Sequence, residues 1–142
     1  MTKESDLYPP IKALLEEQGY EVKSEIGALD VMALHPTAPD EPVIVELKLT
    51  FALALFHLAV DRQAITDWVY VAVPHKSGGA FRKALKSNVR LCRRLGLGLI
   101  TVRLSDAHTQ IHLDPGPYAP RLSKPKKARL LKEFARREGD PN

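Results

Sequence analysis

Apolar and polar positions along the chain fall into runs of two kinds, one at helical spacing and one dense enough for buried strands. Leu7, Ile11, Leu14 and Leu15 share one helical face and predict a first helix running to Gln18. Ser5 or Asp6 can cap it, Pro9 and Pro10 are tolerated in its first turn or so, and Gly19 ends it. Glu21 to Ser24 reads as a short strand. Two apolar runs follow, Ala28 to Ala33 and Val43 to Leu49, separated by the turn-rich segment His35 to Pro42. This predicts two buried strands in an antiparallel hairpin. Phe51 to Thr66 reads as a largely buried helix and Trp68 to Val73 as a strand of β-branched and aromatic residues. Ser77-Gly78-Gly79 opens a third helix, Phe81 to Leu95, which Gly96 stops. A strand from Leu97 to Leu104, a shorter one near Gln110 to Leu113, a turn at Asp114 to Pro117 and a basic helix from Pro125 to Arg137 complete the chain. The order α-β-β-β-α-β-α-β predicts an α/β fold, a central mixed sheet flanked by helices.

The two apolar runs contain charges that a buried strand does not normally carry: Asp30 in the first, Glu46 and Lys48 in the second. Strand alternation sends Glu46 and Lys48 to one face and Val45, Leu47 and Leu49 to the other. If Ala33 pairs with Val43, Asp30 falls opposite Glu46. Two carboxylates and an ammonium then converge on one face. Facing carboxylates repel, and removing them from water costs several kcal/mol each unless a partner compensates. A hard divalent cation such as Mg2+ does this, because it takes oxygen ligands from one or two carboxylates together with water and substrate phosphate. Such a centre activates water and neutralises charge on a phosphoryl oxygen, with Lys48 orienting the water or stabilising the transition state. The simpler alternative is a half-exposed strand with a cross-strand ion pair. A second Glu-x-Lys, at Glu21-Val22-Lys23, has polar neighbours that suit a solvated strand.

This order of elements, with an Asp30 strand followed by a Glu46-x-Lys48 strand, resembles the core of the PD-(D/E)XK nuclease superfamily. More closely, Glu4-Ser5-Asp6-Leu7-Tyr8-Pro9-Pro10-Ile11-Lys12, Gly19-Tyr20-Glu21-Val22-Lys23, Val45-Glu46-Leu47-Lys48 and Asp61-Arg62-Gln63-Ala64 resemble an uncharacterised bacterial family of PD-(D/E)XK-type phosphodiesterase-like proteins. The resemblance implies a restriction-endonuclease-like core. It also implies Asp30 and Glu46 as metal-binding acids, the carbonyl of Leu47 in the metal shell, Lys48 as catalytic lysine, and Mg2+ or Mn2+ as the ion. Glu4 matches an acid that many members carry near the first helix, and Gln63 matches a helix glutamine placed beside the metal in some relatives. Leu29 precedes Asp30 where the motif's name has proline, a departure that many members share.

Length and composition fit one domain. The 142 residues can bury a single core, expected here as a nuclease-like domain over 1–121 and a basic C-terminal helix over 122–142 packed on it or extending from it. The single Cys92 leaves no internal disulfide and fits a reducing compartment. Phe51 to Val60 is too short to span a bilayer, and Met1 to Asp6 is not a signal peptide. The expectation is a cytoplasmic protein without a membrane partner.

Charge is unevenly distributed. Residues 1–67 hold five Lys/Arg against twelve Asp/Glu, and residues 68–142 hold sixteen against five. An acidic metal site beside a polyanion-binding surface gives such a pattern, as do two halves that interleave and cancel. In the third helix Phe81, Leu85, Val89 and Cys92 form an apolar stripe, and Arg82, Lys86, Arg90 and Arg93 recur at i, i+4, i+8 and i+11 on another face. Those four cations are candidate contacts to a phosphate backbone, or a solvated face. The last helix poses the same choice. His108 and His112, with Asp106 and Asp114 nearby, mimic a metal site but lack a fourth ligand at useful spacing, which favours a structural role. Ser77-Gly78-Gly79 lacks the Lys-Ser/Thr of a phosphate-binding loop. The expected function is a metal-dependent nuclease or phosphodiesterase acting on DNA. The alternative is a catalytically inactive nucleic-acid-binding module of the same fold. A homodimer is compatible with either.

Overall fold

The chain enters through a short helical turn at Glu4–Leu7 and continues as α1 (Tyr8–Glu17), β1 (Glu21–Ile26), β2 (Leu29–His35), β3 (Ala38–Leu47), α2 (Leu53–Arg62), β4 (Val69–Pro74), α3 (Gly79–Leu95), β5 (Gly98–Arg103), β6 (His108–Leu113) and α4 (Lys124–Arg136). The structure is a computed structural model that describes residues 1–118 and 122–139. Its six strands form one sheet in chain order. β1, β2 and β3 are antiparallel, β3, β4 and β5 are parallel, and β6 returns antiparallel to β5. The parallel steps are made by α2 and α3, as parallel neighbours require a crossover. This is the predicted mixed sheet flanked by helices, consistent with a restriction-endonuclease-like core.

Strand alternation divides the core into two layers. Leu7, Ile11 and Leu15 pack on Val31, Ala33, Val43, Val45 and Leu47. Leu55, Phe56, Ala59 and Cys92 pack with Ile44, Val69, Val71, Val73 and Leu99 on the other side. Because Val43, Val45 and Leu47 face α1, Ile44 and Glu46 must face α2. Burial of the Cys92 thiol pushes it up to about 12, so it is a packing group rather than a nucleophile.

Several boundaries differ from those expected. Neither Ser5 nor Asp6 caps α1; Asp6 Oδ2 instead accepts from the Lys3 N–H at 2.8 Å and closes the preceding turn. Pro9 and Pro10, lacking N–H groups, fit where first-turn amides have no helical partner. α2 is shorter than Phe51 to Thr66, and buries only Leu55, Phe56 and Ala59. Between β2 and β3 the strands extend until His35 pairs with Ala38, with a register slip after Ala33. Pro39 and Pro42 are accommodated there because β4 pairs with β3 only from Ile44 onward. Gly96 ends α3 with φ +76, where an added Cβ would lie 3.0 Å from the Gly116 carbonyl.

The side chains of α4 are all exposed, Leu130, Leu131 and Phe134 among them. Among the described residues no helix is long and apolar enough to cross a membrane.

Candidate metal and catalytic site

The hairpin register brings the two acids together. Val31 pairs with Val45 and Ala33 with Val43, which sets Asp30 across from Glu46 at the next step. Leu47 donates its N–H to Asp30 Oδ2 at 2.9 Å. The Lys48 N–H donates to the Ala72 carbonyl across the parallel ladder, so the peptide groups of Leu47 face β2 and Asp30 rather than β4. Glu46 is 1% exposed and its Oε1 accepts from Arg62 Nε at 2.6 Å. Arg62 Nη2 also donates to the Ala28 carbonyl at 3.2 Å, in the turn before β2.

Burial raises the Glu46 carboxyl from its ordinary 4.5 to about 7; the Arg62 hydrogen bond opposes the rise, and the Asp30 carboxyl beside it adds to it. The pair of acids therefore has one protein cation, on Glu46, and an N–H on Asp30.

Among the described residues Lys48 makes its ion pair with Glu4 rather than with Asp30 or Glu46. It directly follows β3, which ends at Leu47, and its N–H still bonds across the ladder to the Ala72 carbonyl. The Lys48 ammonium turns toward the opposite helical layer and lies 3.6 Å from Glu4 Oε1. Lys48 and Glu4 thus fall together at the same end of the sheet. The cation on Glu46 is Arg62 instead, and the signal for it is its spacing from Leu55 and Ala59, at i, i+4 and i+7 on the buried face of α2.

A divalent cation fits this donor set. Two adjacent carboxylates share one protein cation, Arg62, burial and the neighbouring Asp30 raise the Glu46 carboxyl, and the Leu47 peptide is turned toward Asp30. Hard-ion sites of this type use one or two carboxylates and draw their remaining ligands from water and substrate. The candidate ligands are two carboxylates, Asp30 and Glu46, and the Leu47 carbonyl; among the described residues no group of three or more His, Cys, Asp or Glu side chains is arranged to hold a metal ion.

Gln63 lies elsewhere. It follows α2 and its Nε2 donates to the Leu95 carbonyl at 2.7 Å, tying α2 to the end of α3. Arg82, Lys86, Arg90 and Arg93 are exposed and, with Leu85, Val89 and His112, line an open groove of about 410 Å³ between α3 and β6. The His108 and His112 cluster has structural partners. His112 Nε2 is 2.7 Å from Thr101 Oγ1, Asp114 accepts from the Tyr70 hydroxyl, and Asp106 pairs with Arg103. Glu21 and Lys23 form a solvent-exposed ion pair, as their polar neighbours imply.

Residues 100–142 match the profile of a family described as "Putative PD-(D/E)XK phosphodiesterase (DUF2161)". The chain resembles the PD-(D/E)XK superfamily. The matched stretch carries most of β5, β6 and α4, whereas the residues around Glu4, Glu21, Glu46 and Arg62 lie upstream of it. No curated protein matches the chain. The family match supports a phosphodiesterase-type function, and the superfamily in general uses divalent metal ions.

Proposed function

We propose that this protein hydrolyses phosphodiester bonds in DNA, using Mg2+ or Mn2+ held by Asp30, Glu46 and the Leu47 carbonyl. The observation that carries the reading is the register of β2 and β3, which sets a buried glutamate beside an aspartate at the end of a strand followed directly by lysine. A divalent ion bound there supplies Lewis-acid activation of water and charge neutralisation at phosphorus. Asp30 is oriented by the Leu47 N–H, and Lys48, next to Leu47 in the chain, pairs with Glu4. The Lys48 ammonium orients the attacking water or meets the charge that develops on the phosphoryl oxygen. The basic face of α3 supplies phosphate contacts that position the duplex without reading its sequence. The compartment in which this takes place is the cytoplasm.

A second reading has one observation in its favour. Arg62 already supplies a counter-charge to Glu46, as a nucleic-acid-binding module without turnover would require. Nicking of supercoiled DNA separates the two. The hydrolase reading expects nicking that depends on Mg2+ or Mn2+, is lost in Asp30→Asn, and falls about 10²-fold or more in Lys48→Ala, the scale for removing one preorganised electrostatic group. DNA binding without metal-dependent nicking supports the module.

A further inference from the structure

Arg62 is the least expected member of the site, and its geometry gives it a definite task. It is the last residue of α2, its side chain is 15% exposed, and it meets a carboxylate that is itself almost fully buried. A charge-assisted hydrogen bond of 2.6 Å in such surroundings is short and strong. Breaking it without a replacement leaves a buried charge uncompensated, which is among the costlier changes a protein can suffer. Arg62 engages Glu46 through Oε1, so a cation that ligates Glu46 either displaces the guanidinium from that oxygen or binds beside it, and is repelled by its charge for as long as it stays. Lys48 does not fill this position, since its ammonium is committed toward Glu4. Arg62 also has a second acceptor, the Ala28 carbonyl, so a guanidinium released from Glu46 keeps a polar partner in the turn preceding Asp30.

We propose that Arg62 is a built-in competitor for the cation site, holding Glu46 when no metal is bound and setting the concentration at which a divalent ion takes the carboxylate over. This rests on the assignment of Asp30 and Glu46 as metal ligands. It makes Arg62 a positioning residue whose removal tightens metal binding, the opposite of what removal of a ligand or a structural partner does.

The test is calorimetric titration of the full chain with Mn2+ alone, in wild type, Arg62→Gln, Arg62→Lys and Glu46→Gln. Arg62→Gln is expected to bind about tenfold or more tightly than wild type, as loss of a charge-assisted competitor implies. Arg62→Lys, which keeps the charge, should stay close to wild type, and Glu46→Gln should lose most of the binding heat. Wild type that binds Mn2+ with Arg62→Gln no tighter overturns the proposal and leaves the metal assignment standing. Absence of binding in both overturns the two together. Because Arg62→Gln leaves a buried carboxylate without its cation, thermal unfolding of the same samples provides a second readout. Its midpoint should fall without metal and rise more steeply with Mn2+ than that of wild type, and equal rises contradict the competitor role.

Discussion

Glu46 illustrates what a single residue reveals before and after folding. Its burial was legible because the apolar residues around it leave a strand no solvated face, and its neighbour Asp30 was legible because strands have a period of two and the register follows from matching apolar positions. Arg62 was legible only in part. It stands at i+7 from Leu55 and i+3 from Ala59, on the buried face of α2, but the spacing does not say which acid it meets there. Lys48 pairs with Glu4, a contact that strand alternation does not supply. The raised Glu46 carboxyl has a consequence for stability. A carboxyl whose folded value is about 7 against an ordinary 4.5 holds its proton more tightly in the native state, so the metal-free protein is stabilised by this group at acid pH and loses that stability as pH rises from about 4.5 to about 7. Denaturant unfolding across this range should show the decline in wild type and a flatter profile in Glu46→Gln; parallel profiles would remove Glu46 as its source.

At the scale of elements, the order of helices and strands was readable throughout, because helical stripes and buried strand runs alternate with clear Gly and Pro breaks. Element ends were less readable. The β2–β3 turn tightened because pairing continued past Ala33 to His35 and Ala38, while α2 shortened because only one of its faces is buried. In α3 both stripes appear as expected. Leu85, Val89 and Cys92 turn inward and the four cations border the groove shared with His112. If that groove follows a phosphate backbone, changing Arg82, Lys86 and Arg90 together to Ala should weaken DNA binding about equally for all sequences. The slope of log K against log[salt] should flatten by up to about 0.9 for each duplex phosphate no longer neutralised, with Mn2+ affinity unchanged. A slope equal to wild type would make the stripe a solvated face and shift attention to the cations of α4.

For the whole molecule, the acidic first half contributes both metal-binding candidates and the basic second half contributes α3 and α4. This division of labour suits an enzyme that draws in a polyanion and cleaves it at a cation centre. The central claim is that Asp30 and Glu46 together form that centre, and thermal unfolding in increasing Mn2+ tests it most directly. Asp30→Asn keeps an oxygen acceptor for the Leu47 N–H while removing the charge that faces Glu46, so its midpoint without metal should equal or exceed that of wild type. Mn2+ should raise the wild-type midpoint in a concentration-dependent way and leave Asp30→Asn unmoved. An equal Mn2+-dependent rise in the two proteins would contradict the assignment.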